Sequence, residues 1–263
     1  MVILLGLAAA VLYGSGDFLG GMATRRVHVL AVLAVAETAA VIAALAAVAM
    51  WPSPATVAGL AAGPMSVVAP VSGLVSTILP VAVALAQGER PGAVVYAGAL
   101  LCLVAIVLAS SAGDTSAVPR TGRAAPRRAI GYGIASGASF GLFFLLIRNA
   151  GQSGELWPVA AGRIGELAIV LIAAAALRRG LPPRGAGSRP LVAAAGAGVI
   201  DVVANICYVA ATRTGTFGLA VVLASLYPGV TVLLARVVLG ERLRWVQRAG
   251  LGLAAIGILL VAA

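Results

Sequence analysis

Long apolar runs separated by short polar segments make up nearly the whole chain. About 20 apolar residues in an α-helix cross the hydrocarbon core of a bilayer, and the chain divides into nine runs of roughly that length, with ends placed to within about two to four residues. The predicted spans are Val2–Met22, Val29–Met50, Gly63–Gln87, Gly92–Ser111, Ala129–Asn149, Leu156–Leu177, Leu191–Thr212, Gly215–Leu239 and Trp245–Ala263. The pattern predicts an all-α polytopic membrane protein of about nine transmembrane helices.

One pair of these runs occurs twice, at Gly63–Ser111 and at Gly215–Ala263, in the same register and without a gap. In each copy the first run ends in Gly-Glu-Arg, at Gly88–Arg90 and at Gly240–Arg242. The Arg- and Pro-rich segment 114–128 separates the two halves. We therefore predict a first repeat of four spans over residues 1–113 and a second repeat of five spans over residues 129–263.

The difference in span number has a definite position. Glu37 and Glu166 each lie centrally in the second span of their half. Glu37 precedes Glu89 by 52 residues, whereas Glu166 precedes Glu241 by 75, so the first half is shorter by 23 residues, the length of one helix. We predict that the first repeat lacks its third helix.

Composition supports the membrane assignment, since 62% of the residues are hydrophobic and 10% are charged, with a mean hydropathy of +1.09. Too little polar surface remains to coat a water-soluble protein. The net charge of +10 comes from arginine alone, and such charges orient loops rather than indicate nucleic-acid binding. The positive-inside bias places segment 114–128 in the cytosol, and with it the N-terminus, whereas the C-terminus is expected outside. The first run reads as a retained helix rather than a signal peptide.

The sequence offers no pattern for a metal or cofactor. Cys102 and Cys207 both lie inside apolar runs, and the single histidine, His28, has no second histidine or acid beside it. We expect no disulfide, no metal site and no cofactor.

Several ionisable residues fall inside predicted spans, where a charge costs about 2.5–3.5 kcal/mol on insertion scales. Arg163 and Glu166 are three residues apart on one helical face and can neutralise each other. They can form a structural ion pair or line a cavity, with Arg163 attracting an anionic group and Glu166 exchanging a proton. Glu37, at the matching position of the first half, is expected to face the same cavity.

Three polar residues form a stripe on the seventh span, because Asp201, Asn205 and Tyr208 follow one another at helical spacing. The stripe must turn away from lipid, towards neighbouring helices or water. Asp17 lies in a segment of small residues in the first span. We expect it either to pair with an arginine elsewhere in the chain or to act as a ligand. Tyr227 precedes Pro228 in the eighth span, where the proline interrupts helical hydrogen bonding and either kinks the helix or opens it towards a cavity.

Several features together resemble those of a known group of proteins. They are the repeat, the Gly-Glu-Arg ends, the Ala-Gly pair that opens each following helix, and two motifs. These motifs are Asn205-Ile206-Cys207-Tyr208 and Ser225-Leu226-Tyr227-Pro228-Gly229-Val230-Thr231-Val232. They resemble the EamA-type branch of the drug/metabolite transporter superfamily. The resemblance implies ten helices in two inverted five-helix repeats, a central cavity and alternating access. It also implies export of amino acids, metabolites or drugs, often by proton exchange.

The predicted function is therefore secondary-active transport of a small molecule across the cell membrane, with Glu166 as the first choice for a proton-coupled acid and Arg163 as its partner. Without the third helix, either the fold rearranges locally or transport is compromised, so a non-transporting membrane protein that packs against another subunit is the alternative. The sequence is also compatible with a channel whose transport is not coupled to an ion gradient. A membrane-embedded enzyme is the least supported interpretation. The expected partners are the lipid bilayer, a small-molecule substrate and protons, with no nucleic acid, and the protein is expected as a monomer or homodimer.

Overall fold

The computed structural model describes residues 1–50, 81–83, 85–88, 92–110, 141–148, 156–177, 187–240 and 245–262. Within these ranges the regular structure is entirely helical, as the apolar runs predict. The helices are α1 (Val2–Thr24), α2 (Val29–Met50), α3 (Ala93–Ser110), α4 (Trp157–Ala176), α5 (Ser188–Thr214), α6 (Phe217–Ala224), α7 (Tyr227–Leu239) and α8 (Trp245–Ala262). Residues 141–148 are also helical. The prediction of an all-α polytopic membrane protein is confirmed.

Length and apolar composition allow five helical stretches in the described part of the chain to cross a membrane. They are α1, α2, α4, α5 and the combined stretch Phe217–Leu239, while α3 and α8 contain shorter apolar stretches. Most of the predicted span Gly63–Gln87, much of Ala129–Asn149 and the linker 114–128 lie outside the described residues. The division into repeats of four and five spans stays a prediction.

Helix α1 lies at the centre of the described bundle. It packs against α5, α6 and α7, while α2 packs against α4 and α5. Helices α3 and α8 pair with each other at Gly257, where an added Cβ would meet the Cys102 sulfur at 2.7 Å. Helices approach this closely where small residues replace larger side chains.

A second close approach fixes α5 against α2. A Cβ atom added to Gly198 on α5 would collide with the backbone carbonyl of Ala36 on α2. Ala36 immediately precedes Glu37, and Gly198 lies three residues before Asp201. The absence of a side chain at Gly198 therefore lets two acidic residues on different helices come near a common neighbour.

The predicted eighth span Gly215–Leu239 is not one continuous helix. It divides into α6 and α7 at Ser225 and Leu226, directly before Tyr227-Pro228. Proline has no N–H to donate and its ring clashes with the preceding turn, which accounts for the interruption. At the other end, α7 stops at Gly240 in the left-handed conformation (φ 68°), a common helix terminator.

Candidate functional site

Arg163 on α4 is the centre of an ionic cluster inside the helical bundle. Its Nη1 lies 2.7 Å from Oε2 of Glu166 and 3.4 Å from Oε2 of Glu37. Its Nη2 donates to Oδ2 of Asp201. The four residues Glu37, Arg163, Glu166 and Asp201 are called the charge cluster below.

Three helices supply the charge cluster, since Glu37 comes from α2, Arg163 and Glu166 from α4, and Asp201 from α5. Arg163 and Glu166 share one face of α4, as their spacing predicts, and pair with each other. Both glutamates and Asp201 lie near the middle of their helices, far from the interfacial ends. The cluster therefore lies at the depth where ionised groups are costliest.

Exposure varies strongly within the charge cluster. The side chain of Arg163 is 8% exposed, whereas those of Glu37, Glu166 and Asp201 are 14%, 23% and 29% exposed. Partly exposed carboxylates in mid-span do not face lipid, because hydrocarbon cannot solvate them. Their open side is therefore expected to face a water-accessible recess between helices.

The two glutamates share a donor, since Oε2 of Glu37 and Oε2 of Glu166 lie 3.4 Å and 2.7 Å from the same Nη1 atom of Arg163. An ionised carboxylate only accepts hydrogen bonds, whereas a protonated carboxyl also donates one. Two carboxylates beside one donor repel each other when both are ionised, and a proton on either one removes that repulsion. This geometry can hold and release a proton.

A chain of neutral hydrogen bonds connects the charge cluster to α1. The Nδ2 of Asn205 donates to the backbone oxygen of Asp201 at 3.0 Å and lies 3.5 Å from its Oδ2. The hydroxyl of Tyr13 donates to Oδ1 of Asn205 at 2.7 Å. Asn205 is fully buried and Tyr13 is 8% exposed, so both ends of this bond are shielded from water. Displacement of α1 relative to α5 therefore affects the surroundings of Asp201.

An aromatic group lies on the far side of Tyr13. The ring of Tyr13 makes edge contacts with Phe144, at 6.1 Å between centroids, and with Tyr227, at 6.3 Å. Tyr208 packs against Phe144 at 4.6 Å, and its hydroxyl lies 3.4 Å from the Phe144 carbonyl oxygen. The predicted stripe on α5 therefore divides, because Asp201 and Asn205 join the charged network whereas Tyr208 packs in the aromatic group.

Asp17 lies one turn beyond Tyr13 on α1 and is half-buried. Its neighbour Gly16 packs against α5, where an added Cβ would lie 3.4 Å from the carbonyl oxygen of Ala197, one turn before Asp201. Asp17 has no hydrogen bond or ion pair with any described residue. The expected arginine partner is not found among the described residues. Asp17 adds a fourth acidic group on the α1 side of the charge cluster.

The structure adds two residues that sequence reasoning did not select, Tyr13 and Phe144. Tyr13 had a detectable signal, because it lies four residues before Asp17 and so shares its helical face. Phe144 had no such signal in the sequence, since one phenylalanine in an apolar run cannot be distinguished from an ordinary core residue. Their roles arise from contacts between helices that are distant in sequence.

The described residues contain no group of three His, Cys, Asp or Glu side chains arranged to hold a metal ion. Cys102 is buried and Cys207 half-buried, and both are free thiols. The chemistry that the charge cluster offers is ion pairing and proton exchange rather than bond cleavage by a nucleophile.

Comparison with known proteins identifies the family. Residues 127–263 match the EamA-like transporter family, a range that corresponds to the predicted second repeat. A crystal structure of another protein is similar over 99% of this chain and 98% of that chain, with a TM-score of 0.74 and 18% sequence identity, which supports the fold alone. No curated protein matches the sequence. The matched range covers more than half of the chain, which therefore belongs to the EamA-like transporter family, whose members are multi-pass membrane transporters of the drug/metabolite transporter superfamily rather than enzymes.

Proposed function

We propose that this protein is a secondary-active transporter that exports a small metabolite, amino acid or drug across the cell membrane in exchange for protons. The observation that carries the proposal is the charge cluster, which joins the two predicted repeats in mid-span. Glu37 comes from the first repeat, whereas Arg163, Glu166 and Asp201 come from the second. Transporter binding sites commonly lie near mid-bilayer at such a repeat interface.

Alternating access requires contacts between the repeats that form in one state and break in another. The contact between Arg163 and Glu37, at 3.4 Å, is longer than the one between Arg163 and Glu166, at 2.7 Å within a single helix. When Glu37 or Glu166 is protonated, the attraction to Arg163 is reduced and the repeats separate more easily. The proton state of the glutamates thereby controls which side of the membrane the site faces.

Glu166 is the proposed proton-exchanging acid, since its carboxyl group accepts the 2.7 Å bond from the Arg163 nitrogen that also contacts Glu37. The test is uptake by the purified protein in proteoliposomes, with and without a pH gradient. We expect the pH gradient to drive transport by the wild-type protein and to lose its effect in Glu166→Gln. Glu241→Gln is a matched control, because it makes the same chemical change two positions along the chain after α7 ends at Leu239, and it should retain pH-driven transport.

Transport by Glu166→Gln with the full response to the pH gradient would refute the assignment of Glu166 as the coupling acid. The same assay decides the alternative, in which the chain is a non-transporting partner that lacks one helix of its first repeat. Transport by the purified chain alone rules out that alternative. Its oligomeric state in detergent, monomer or homodimer, is measured by light scattering on the same sample.

A further inference from the structure

We propose that the substrate site takes an organic cation, a protonated amine or a quaternary ammonium group, in exchange for protons held by the charge cluster. This proposal rests on the proposed function, because it assigns a substrate class to the same site. It differs from the simplest sequence-based expectation, in which Arg163 attracts an anionic group.

The first step concerns Arg163, whose guanidinium is already occupied. Both of its terminal nitrogens contact carboxylates, Nη1 those of Glu37 and Glu166 and Nη2 that of Asp201. Its side chain is 8% exposed, so little of it is open to a further ligand. An anionic substrate would have to displace a carboxylate that the protein itself supplies.

The second step is the charge balance. Three carboxylates surround one guanidinium, so the charge cluster carries two surplus negative charges when all its acids are ionised. Asp17 adds another acidic group near Asp201 and has no ion-pair partner among the described residues. A carboxylate or phosphate entering this field is repelled, whereas a cation is attracted.

The third step is access to the negative charge. Each carboxylate in the charge cluster contacts Arg163 through a single oxygen, Oε2 in the glutamates and Oδ2 in Asp201. The acids are more exposed than the arginine, and Asp201, at 29%, is the most exposed of the four. The open side of the cluster therefore presents carboxylate oxygens rather than guanidinium nitrogens.

The arrangement fits an organic cation better than a bare metal ion. A metal ion needs several oxygens that converge on one point at short distance, whereas these carboxylates are spread around the guanidinium. In the described part of the chain the acids do not form a group able to hold a metal. An ammonium group is larger and tolerates oxygens distributed over one side of the site.

The exchange balances without any further reactant, because the cation enters as protons leave the carboxyl groups. Among the described residues, the titratable and charged groups that face the charge cluster, besides its own members, are Tyr13 and Asp17 from α1. For each proton released per cation bound, the apparent dissociation constant falls about tenfold per unit rise in pH while the acids are protonated in the free protein. Protons and substrate then compete for the same carboxylates, which couples their fluxes.

The test is calorimetric titration of the purified full-length protein in detergent between pH 5 and pH 8, together with proton release into weakly buffered solution. The cationic probes are benzyltrimethylammonium, benzylamine and tetramethylammonium. Their counterparts are neutral phenylacetamide, anionic phenylacetate and sodium chloride. We expect at least one organic cation to bind with release of protons and more tightly at higher pH, and phenylacetate and phenylacetamide to bind at least about tenfold more weakly.

Binding of phenylacetate or phenylacetamide as tight as that of the best organic cation overturns the proposal. So does failure of all three organic cations to bind, affinity that is independent of pH, or proton release by sodium chloride at equal concentration. Proton-driven transport of a neutral or anionic compound in proteoliposomes would leave the proposed function intact while this inference fails. Absence of transport for every compound would instead refute the proposed function.

Two variants sharpen the result. Asp17→Asn removes an acid that has no hydrogen bond to the described chain, so the fold is expected to persist while affinity for the cation decreases and that for phenylacetamide does not. Glu241→Gln makes the same kind of neutralisation outside the charge cluster and should change neither affinity. An equal loss of cation affinity in both variants would contradict a site-specific role for the acids.

Discussion

The hydrogen bond between Tyr13 and Asn205 permits a test of the structure that does not depend on the substrate. Tyr13→Phe removes one oxygen atom and leaves the shape of the ring unchanged. In the structure that oxygen lies 2.7 Å from Oδ1 of Asn205, and Asn205 is fully buried. The variant therefore leaves the amide oxygen without its donor in a place that water does not reach.

The expected cost follows from this burial. A buried acceptor that loses its partner destabilises a protein by about 1–3 kcal/mol. Hydrogen bonds between membrane helices measured by double-mutant cycles average about 0.6 kcal/mol and reach about 1.7 kcal/mol. Because the bond between Tyr13 and Asn205 is short and shielded, we expect Tyr13→Phe to lower the free energy of unfolding by about 1–2 kcal/mol.

Two other tyrosines supply matched controls for the same chemical change. The hydroxyl of Tyr208 lies 3.4 Å from its acceptor, which is beyond the usual range for an O–H···O bond, so Tyr208→Phe should cost less than about 0.5 kcal/mol. Tyr96 is 43% exposed on α3, and Tyr96→Phe should have no measurable effect on stability. The assay is reversible unfolding in mixed micelles with increasing sodium dodecyl sulfate, followed by helical circular dichroism.

The order of the three variants decides the result. If Tyr13→Phe is as stable as Tyr96→Phe, or if Tyr208→Phe is the least stable, the hydrogen-bonded link from α1 to Asn205 is refuted. A double-mutant cycle with Asn205→Ala separates the pair from other effects, because a direct bond predicts coupling between the two changes. Purely additive effects would mean that the hydroxyl acts elsewhere.

Two further substitutions and one control variant test the packing around the site in the same unfolding assay. Gly198→Ala places a methyl group against the backbone of Ala36, so we expect the free energy of unfolding to fall by about 1–3 kcal/mol. The control is Gly20→Ala, which has open space around it and should stay within about 0.5 kcal/mol of wild type. Ser225→Ala removes a buried hydroxyl that has no hydrogen-bond partner among the described residues, so we expect stability to rise by about 0.5–1 kcal/mol; a loss of stability would instead indicate that the hydroxyl is bonded.

The sequence predicted those features of the site that depend on one helix at a time. The pairing of Arg163 with Glu166 follows from their spacing, and the interruption before Pro228 follows from proline chemistry. The repeat allowed one step further, because it placed Glu37 in the same region as Glu166 before any contact was visible. It could not predict the bond from Arg163 to Asp201, which depends on how closely α4 and α5 pack.

The number of carboxylates in the charge cluster is itself informative. A purely structural bridge between helices is satisfied by one acid for each base, and every additional buried charge adds to the cost of removing ions from water. Arg163 faces three acids, so stability alone does not account for the arrangement. The proposed exchange would use this surplus charge, because a proton or a cationic substrate can neutralise it.

The origin of the cluster also bears on the helix that the first repeat is predicted to lack. All members of the cluster come from α2, α4 and α5, and Glu37 precedes the position of the predicted deletion. The contacts that hold Arg163 therefore do not depend on the span that is predicted to be missing. If the first repeat lacks that helix, the acids and the base of the proposed exchange site are still in place, as the proposed transport requires.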